Sequence, residues 1–155
     1  MFGNRRYHWI LPALASALIG CAGPVDHDEL LAGKTAEEFA RIALVKRDVE
    51  KGYALLSDST RGYVSLEQFK EVLARLHPGA FPTTVAASEY EPMKGEKAIY
   101  IFMTGEGPGE QFYYRITMEG TAATGYRVLR LDRAGGPYPP PNTRRQFGKS
   151  PGARP

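Results

Sequence analysis

The sequence predicts an α+β domain in which N-terminal helices pack on a curved four-stranded antiparallel sheet. Three observations support this fold class. Apolar residues recur every three or four positions between residues 35 and 76, which is the period of an amphipathic helix. From Thr83 onward the apolar residues recur at every second position, which is the period of a strand. The strand-like segments are joined by short turns that contain glycine, and such connections favour hairpins.

The first helix is predicted to begin at Thr35, because Thr35 and Glu38 form a capping box that satisfies two free amides at a helix start. Its apolar stripe consists of Phe39, Ile42, Val45, Val49, Tyr53 and Leu56. Gly52 weakens its last turn, and the polar cluster at residues 57–60 is predicted to end it.

A second helix is predicted to follow, because Ser65 and Gln68 form another capping box. One face of this helix is apolar and carries Leu66, Phe69, Val72, Leu73 and Leu76. The sequence His77-Pro78-Gly79 is predicted to end it, since proline cannot continue a helix.

Four short segments rich in β-branched and aromatic residues are predicted to be the strands of an antiparallel meander. They cover residues 84–90, 97–104, 111–119 and 126–131. The turns between them contain Gly95, Gly107 and Gly120, among other glycines.

The strand faces give a hint of binding, because aromatic residues occur on both of them. In the second strand one face carries Ile99, Ile101 and Met103, which are expected to cover the helices. The other face carries Tyr100 and Phe102 of the second strand, together with Tyr113 and Arg115 of the third strand. We interpret these four residues as a candidate contact surface for another protein, since aromatic side chains bury much area at low entropic cost. Ordinary half-exposed pairing of aromatics across strands is the alternative.

The N-terminus indicates export. Arg5 and Arg6 precede an apolar run over residues 9–19 that contains no charge. Eleven helical residues span about 17 Å, which is short of the ~30 Å hydrocarbon core, so residues 1–20 are predicted to be a signal peptide. Cys21 is the only cysteine of the chain, which leaves it without a partner for an internal disulfide.

The sequence Leu18-Ile19-Gly20-Cys21 resembles the lipobox of bacterial lipoproteins. The resemblance implies acylation of Cys21 with palmitate-type chains and anchoring of the protein in the membrane of the cell envelope. Ala22 follows the cysteine, and in Gram-negative lipoproteins a residue other than aspartate there favours the outer membrane, facing the periplasm. Residues 21–34 are then expected to be a flexible tether between the lipid and the domain.

The order of elements over residues 35–132 is similar to that of the nuclear-transport-factor-2-like superfamily, whose cystatin-like cone curls a sheet around a long helix. The resemblance rests on the segments at residues 48–57 and 64–69 and the sheet after them. It implies a pocket at the open end of the cone. Some members are isomerases or lyases, whereas many others are binding or accessory domains.

The resemblance implies that a catalytic member would use an aspartate or histidine base inside the cone, as the ketosteroid-isomerase-like and dehydratase-like members do. Beyond the predicted signal peptide the only histidines are His27 and His77, and no acid lies in the middle of a predicted strand on an apolar face. The sequence therefore favours a non-catalytic binding or accessory module without a cofactor, and a small-molecule isomerase or lyase is the alternative. No metal site is expected at Asp26-His27-Asp28, because no second group of ligands lies nearby in the sequence.

The charges are unevenly distributed, and this excludes a nucleic-acid-binding interpretation of the pI of 9.0. The predicted domain and tether are mildly acidic, whereas residues 133–155 carry five basic residues and no acid. Ten of those 23 residues are proline or glycine, so the segment is predicted to be a disordered tail. It could lie on anionic lipid or cell-wall polymer, or remain solvated without a partner.

We also expect a homodimer, because domains of the superfamily that this chain resembles often pair through the outer face of the sheet. Tyr100, Phe102 and Tyr113 would then be buried between two copies, with Arg115 at the rim. In the competing interpretation these aromatics form the inner wall of the cone, and Ile99, Ile101 and Met103 face outward.

Overall fold

The computed structural model describes residues 25–139 and 143–148. These residues form an α+β domain with four α-helices and an open five-stranded antiparallel sheet. The helices are α1 (Glu29–Ala40), α2 (Val49–Ala54), α3 (Asp58–Arg61) and α4 (Leu66–Leu76). The strands are β1 (Thr84–Pro92), β2 (Ala98–Gly107), β3 (Glu110–Thr121), β4 (Gly125–Ala134) and β5 (Arg145–Gln146). The predicted α+β class, with N-terminal helices and an antiparallel sheet, is therefore confirmed.

Helix α1 begins six residues before the predicted start. Asp28 is the N-cap, and its carboxylate accepts a hydrogen bond from the amide of Leu31 at 2.9 Å. Thr35 lies inside the helix, where its hydroxyl donates to the carbonyl of Leu31 at 2.8 Å. The predicted start at Thr35 is therefore wrong, and residues 29–34, which were assigned to the tether, are helical.

The single long helix expected from the apolar stripe is divided. A π-helical segment (Arg41–Val45) follows α1, and Arg47 has a positive φ of 56°. Asp48 then caps α2 by accepting a hydrogen bond from the amide of Lys51. The break lets α2 pack on the π-helical segment, and Gly52 permits the close approach, because a Cβ there would lie 2.8 Å from the Cβ of Ala43.

The predicted second helix is confirmed as α4. Both hydrogen bonds of its capping box are present: the Gln68 side chain accepts from the amide of Ser65 at 2.8 Å, and Ser65 Oγ accepts from the amide of Gln68 at 3.2 Å. The helix ends at Leu76, with His77 as its C-cap. The short helix α3, capped by Ser57, lies where the sequence predicted only a break.

The sheet has the order β4-β3-β2-β1-β5. The first four strands form the predicted meander, and each is longer than its prediction. Strand β5 was not predicted: Gln146 pairs with Glu89, and Arg145 pairs with Tyr90. Part of the segment assigned to a disordered tail is thus placed on the domain, whereas residues 140–142 and 149–155 lie outside the described residues.

The core lies between the helices and the inner face of the sheet. Its largest fully buried residues include Phe39, Leu44, Ile99, Ile101, Met103, Phe112, Tyr114, Ile116 and Met118. The assignment of Ile99, Ile101 and Met103 to the helix-covering face is therefore confirmed, and the inverted assignment is wrong.

Candidate functional site: the outer face and a cleft at the β4 edge

The four residues of the candidate aromatic face lie together on the outer side of β2 and β3. Phe102 is the cross-strand partner of Arg115, and Tyr113 is the partner of Thr104. The guanidinium of Arg115 lies 5.0 Å from the ring centroid of Tyr100 and forms an ion pair of 3.1 Å with Asp132 of β4. Tyr100, Tyr113 and Arg115 are each half-buried.

Phe102 differs from its neighbours because the C-terminal segment covers it, leaving only 5% of its surface exposed. The Tyr138 ring lies edge-on to Phe102 with centroids 5.4 Å apart, and the guanidinium of Arg144 lies 3.6 Å from the Phe102 centroid. Of the four residues predicted to form a dimer interface, Phe102 is thus buried within one chain, and Tyr100, Tyr113 and Arg115 remain partly exposed.

Arg144 is held from three sides. It forms an ion pair with Glu89 at 2.8 Å, and it donates to the carbonyls of Tyr138 at 3.4 Å and Pro139 at 3.0 Å. Only 7% of its side chain is exposed, so this ion pair is screened much less than a surface pair. Its Nε is buried and has no hydrogen-bond partner among the residues that the structure describes.

Tyr138 and Arg144 also belong to this face, and the sequence did not predict them there. The composition of the segment predicts disorder, and only its isolated aromatic residues could have signalled packing. Tyr138 and Phe147 are the two aromatic side chains after residue 132, and both contact aromatic residues of the sheet.

A second feature is an apolar cleft between α3, α4 and the edge strand β4. It has a volume of about 250 Å³. Its lining consists of Leu56, Thr60, Tyr63, Val64, Phe69, Val72, Leu129, Arg130 and Leu131. Arg130 is the only charged residue of this lining, and no carboxylate or imidazole contributes to it.

The rim of the cleft exposes apolar and aromatic surface. Tyr63, which lines the cleft, is 68% exposed. The hydroxyl of Thr60 donates to the carbonyl of Leu129 at 2.8 Å, which leaves the cleft wall mainly hydrocarbon. Arg130 pairs with Asp132 at 2.8 Å while 69% of its side chain stays exposed at the lip.

A buried polar cluster lies at the C-terminal end of α4. His77 Nδ1 lies 3.1 Å from the carbonyl of Ala80, and its Nε2 lies 3.4 Å from the hydroxyl of Tyr114. Burial lowers the pKa of His77, and the charge of Arg133 acts in the same direction. Burial raises the pKa of Tyr114, so its hydroxyl stays protonated and can donate to the neutral imidazole.

The N-terminal residues of the described range are tied to the sheet. His27 bridges the hydroxyl of Tyr126, at 3.2 Å, and the carbonyl of Glu96, at 3.1 Å. Over residues 25–139 and 143–148, no group of three or more metal-ligating side chains is present, and no helix is long and apolar enough to cross a bilayer. Cys21 and the other residues of the lipobox lie outside these ranges.

Comparisons of the chain with protein-family models, with curated proteins and with solved structures find no match.

Proposed function

We propose that this protein is an envelope lipoprotein, anchored through Cys21, whose domain is a non-catalytic binding or accessory module. The apolar cleft between α4 and β4 carries the proposal. Its wall is hydrocarbon, its opening faces solvent, and its lining contains no acid or imidazole that could transfer a proton. Such a lining binds a ligand without supplying acid–base chemistry.

The dimensions of the cleft indicate the class of ligand. About 250 Å³ accommodates one aromatic group or a short acyl chain and is smaller than a typical cofactor site. Arg130 at the lip favours an anionic head group. The ligand we propose is therefore a small amphiphile, or the apolar end of a larger one, with a negative charge near its apolar part.

The isomerase or lyase alternative lacks support from the buried histidine. The neutral imidazole of His77 is engaged on both nitrogens, by Ala80 and by Tyr114. Neither His77 nor Tyr114 lines the cleft. A general base must contact its substrate directly or through one water molecule, and His77 and Tyr114 are not among the residues that a ligand in the cleft would contact.

We further propose that the domain is a cone of the nuclear-transport-factor-2-like type, with the membrane of the envelope as one partner and an envelope protein or cell-wall polymer as another. The order of helices before an antiparallel meander supports the family assignment. For a Gram-negative cell, Ala22 after the cysteine supports placement in the outer membrane, facing the periplasm.

The ligand proposal is tested with 1-anilinonaphthalene-8-sulfonate, an apolar anion whose fluorescence rises on burial. We expect saturable binding to the folded chain. Val72→Trp places a large side chain in the cleft and is expected to weaken binding at least about tenfold, which corresponds to ~1.4 kcal/mol.

Ala74→Trp is the matched control. Ala74 is exposed on the same helix, two residues further on, and does not line the cleft. It should leave the affinity within about twofold of the parent. Absence of saturable binding, or equal binding by the two tryptophan variants, would contradict the proposal.

A further inference from the structure

The edge of β1 that faces away from β2 lies on the opposite side of the sheet order from the cleft at β4, and the C-terminal segment covers part of it. Two residues of the C-terminal segment pair with this edge, and the amide of Phe147 donates to the carbonyl of Ser88 at 3.2 Å. The amide of Ala87 is satisfied by a side chain, Glu37 Oε1, at 2.8 Å. The β1 edge thus pairs with an extended segment over a short stretch only, because the Glu37 side chain already bonds the amide of Ala87.

Two sockets flank this stretch, one on each side of the sheet. The outer socket is formed by Glu89 and Phe102 and receives the guanidinium of Arg144, which pairs with the carboxylate and stacks on the ring. A socket made of an aromatic face beside a carboxylate suits arginine better than lysine, because the planar guanidinium can stack on the ring while it pairs with the carboxylate.

The inner socket is formed by Gly33 of α1 and Tyr90 of β1. It receives the ring of Phe147, whose centroid lies 4.9 Å from that of Tyr90. A Cβ on Gly33 would lie 2.7 Å from Cζ of Phe147, so the helix presents bare backbone to the ring. We name the β1 edge with Glu89, Phe102, Gly33 and Tyr90 the two-socket edge.

The chain's own segment fits this surface incompletely. An unfilled cleft of about 110 Å³ remains beside Arg144, and another of about 170 Å³ remains beside Phe147. Within residues 25–139 and 143–148, the Nε atom of Arg144 is buried without an acceptor. An unfilled socket loses dispersion contacts, and an unpaired buried donor costs free energy, so a better-fitting segment has room to gain on both counts.

We propose that the two-socket edge is a peptide-recognition site, held closed by residues 144–147 of the same chain. Its partner is an extended segment of another protein that carries arginine and, three residues later, a large aromatic residue. Main-chain pairing with β1 supplies part of the affinity, and the two sockets supply the specificity. The tethered segment competes at a high effective concentration, so an incoming partner must fit better than the resident.

The probe is a synthetic peptide with the sequence of residues 143–148, Thr-Arg-Arg-Gln-Phe-Gly, titrated into the full-length chain in which Arg144→Ala and Phe147→Ala empty both sockets. We expect saturable binding, at least about tenfold tighter than to the parent chain, because the parent must first release its own segment. Binding is followed by fluorescence anisotropy of the labelled peptide.

Four further peptides are compared with the parent peptide: two test the sockets and two are controls. Replacing the arginine of position 144 by lysine should weaken binding several-fold, and replacing the phenylalanine of position 147 by tryptophan should strengthen it, since tryptophan fills the residual space. The control peptide carries Gln146→Ala, because Gln146 is exposed, and it should bind like the parent peptide. A peptide with the same residues in scrambled order should not bind.

The proposal is overturned if the double variant, shown to be folded by near-ultraviolet circular dichroism, does not bind the parent peptide at millimolar concentration. It is equally overturned if the scrambled peptide binds as well as the parent peptide. Should the double variant not fold, the single Arg144→Ala variant answers the same question, with the Gln146→Ala variant of the chain as its control. Self-association of the double variant in light scattering, with the peptide failing to dissociate it, would assign the edge to a second copy instead and also overturn the proposal.

Discussion

His77 shows how one buried side chain constrains the stability of the domain. The imidazole is 4% exposed, donates to Ala80 and accepts from Tyr114, and its ring stacks on that of Phe81 with centroids 4.6 Å apart. Protonation would place a second donor opposite the Tyr114 hydroxyl and a second positive charge near Arg133. The folded state therefore holds His77 neutral.

Stability should depend on pH through this residue. The folded-state pKa of His77 is lowered, whereas the unfolded chain takes up a proton near the usual value of about 6.5. The unfolded state thus binds more protons below that pH, so stability is fully present above about pH 6.5 and is lost as the pH falls below it. Thermal unfolding of the parent at a series of pH values between about 5 and 7.5 should show this loss.

His77→Gln tests the assignment. Glutamine keeps hydrogen-bonding capacity but does not titrate, so the variant should be less stable than the parent at neutral pH and should lose most of the pH dependence. His27→Gln is the control, since His27 is half-buried at the edge of the domain. A pH dependence that disappears with His27→Gln and persists with His77→Gln would refute the assignment.

At the scale of elements, helix α1 and the C-terminal segment depend on each other through Gly33. Glycine in a helix interior costs about 1 kcal/mol relative to alanine, yet the Phe147 ring occupies the place where a Cβ would stand. Gly33 thus lowers the intrinsic stability of α1, but it leaves room for the ring of Phe147 to pack on the helix.

A double-mutant cycle measures this exchange by urea unfolding. In a Phe147→Ala background, Gly33→Ala should stabilise the protein by about 1 kcal/mol, because only the helix propensity changes. In the parent, the same substitution displaces the ring and should be less favourable by at least about 1 kcal/mol.

Gly79→Ala serves as the control for this cycle. Apart from Gly79 and its two chain neighbours, no atom of the described residues lies within 4 Å of a Cβ at Gly79, so its effect should be the same in both backgrounds. A coupling free energy near zero between Gly33 and Phe147 would contradict the prediction, since it would show that the Phe147 ring does not limit substitution at Gly33.

The elements that the sequence predicted well are those specified by local signals. The capping box at Ser65 and Gln68 identifies α4, and the change from helical to strand period identifies the meander. The assignment of Phe102 to the outer face also follows from alternation along β2. Each of these depends on residues that are neighbours in the sequence.

The elements that the sequence did not predict depend on distant contacts or on competing local signals. Thr35 and Glu38 imitate a helix start, but Asp28 is a better cap and Thr35 bonds back to Leu31. The position of Arg144 depends on Glu89 and Phe102, more than forty residues earlier in the chain. Neither composition nor periodicity carries that information.

At the scale of the whole molecule, the anchor we propose lies close to the domain. The carbonyl of Asp26 accepts a hydrogen bond from the amide of Ala122 at 3.1 Å, and His27 is fixed to Tyr126 and Glu96. Five residue steps separate Cys21 from Asp26, and a fully extended chain of that length spans about 17 Å. If Cys21 is acylated, Asp26 therefore lies within about 17 Å of the anchor, which is a shorter maximum reach than that of the predicted tether of residues 21–34.

The anchor itself is tested on the full-length chain in a bacterial host, by metabolic labelling with a clickable palmitate analogue followed by mass spectrometry. We expect label on the parent and a mature N-terminal peptide that begins at an acylated Cys21, because two or more buried acyl chains at ~0.8 kcal/mol per methylene give durable anchoring. Cys21→Ser should abolish the label, whereas Ser16→Ala, a small change within the same apolar run, should retain it. Recovery of the parent with an intact Met1, or with a free thiol in the aqueous phase of a detergent partition, would contradict the lipoprotein proposal. It would leave the cleft and the two-socket edge to be judged by their own binding measurements, since both are formed by residues after Pro24.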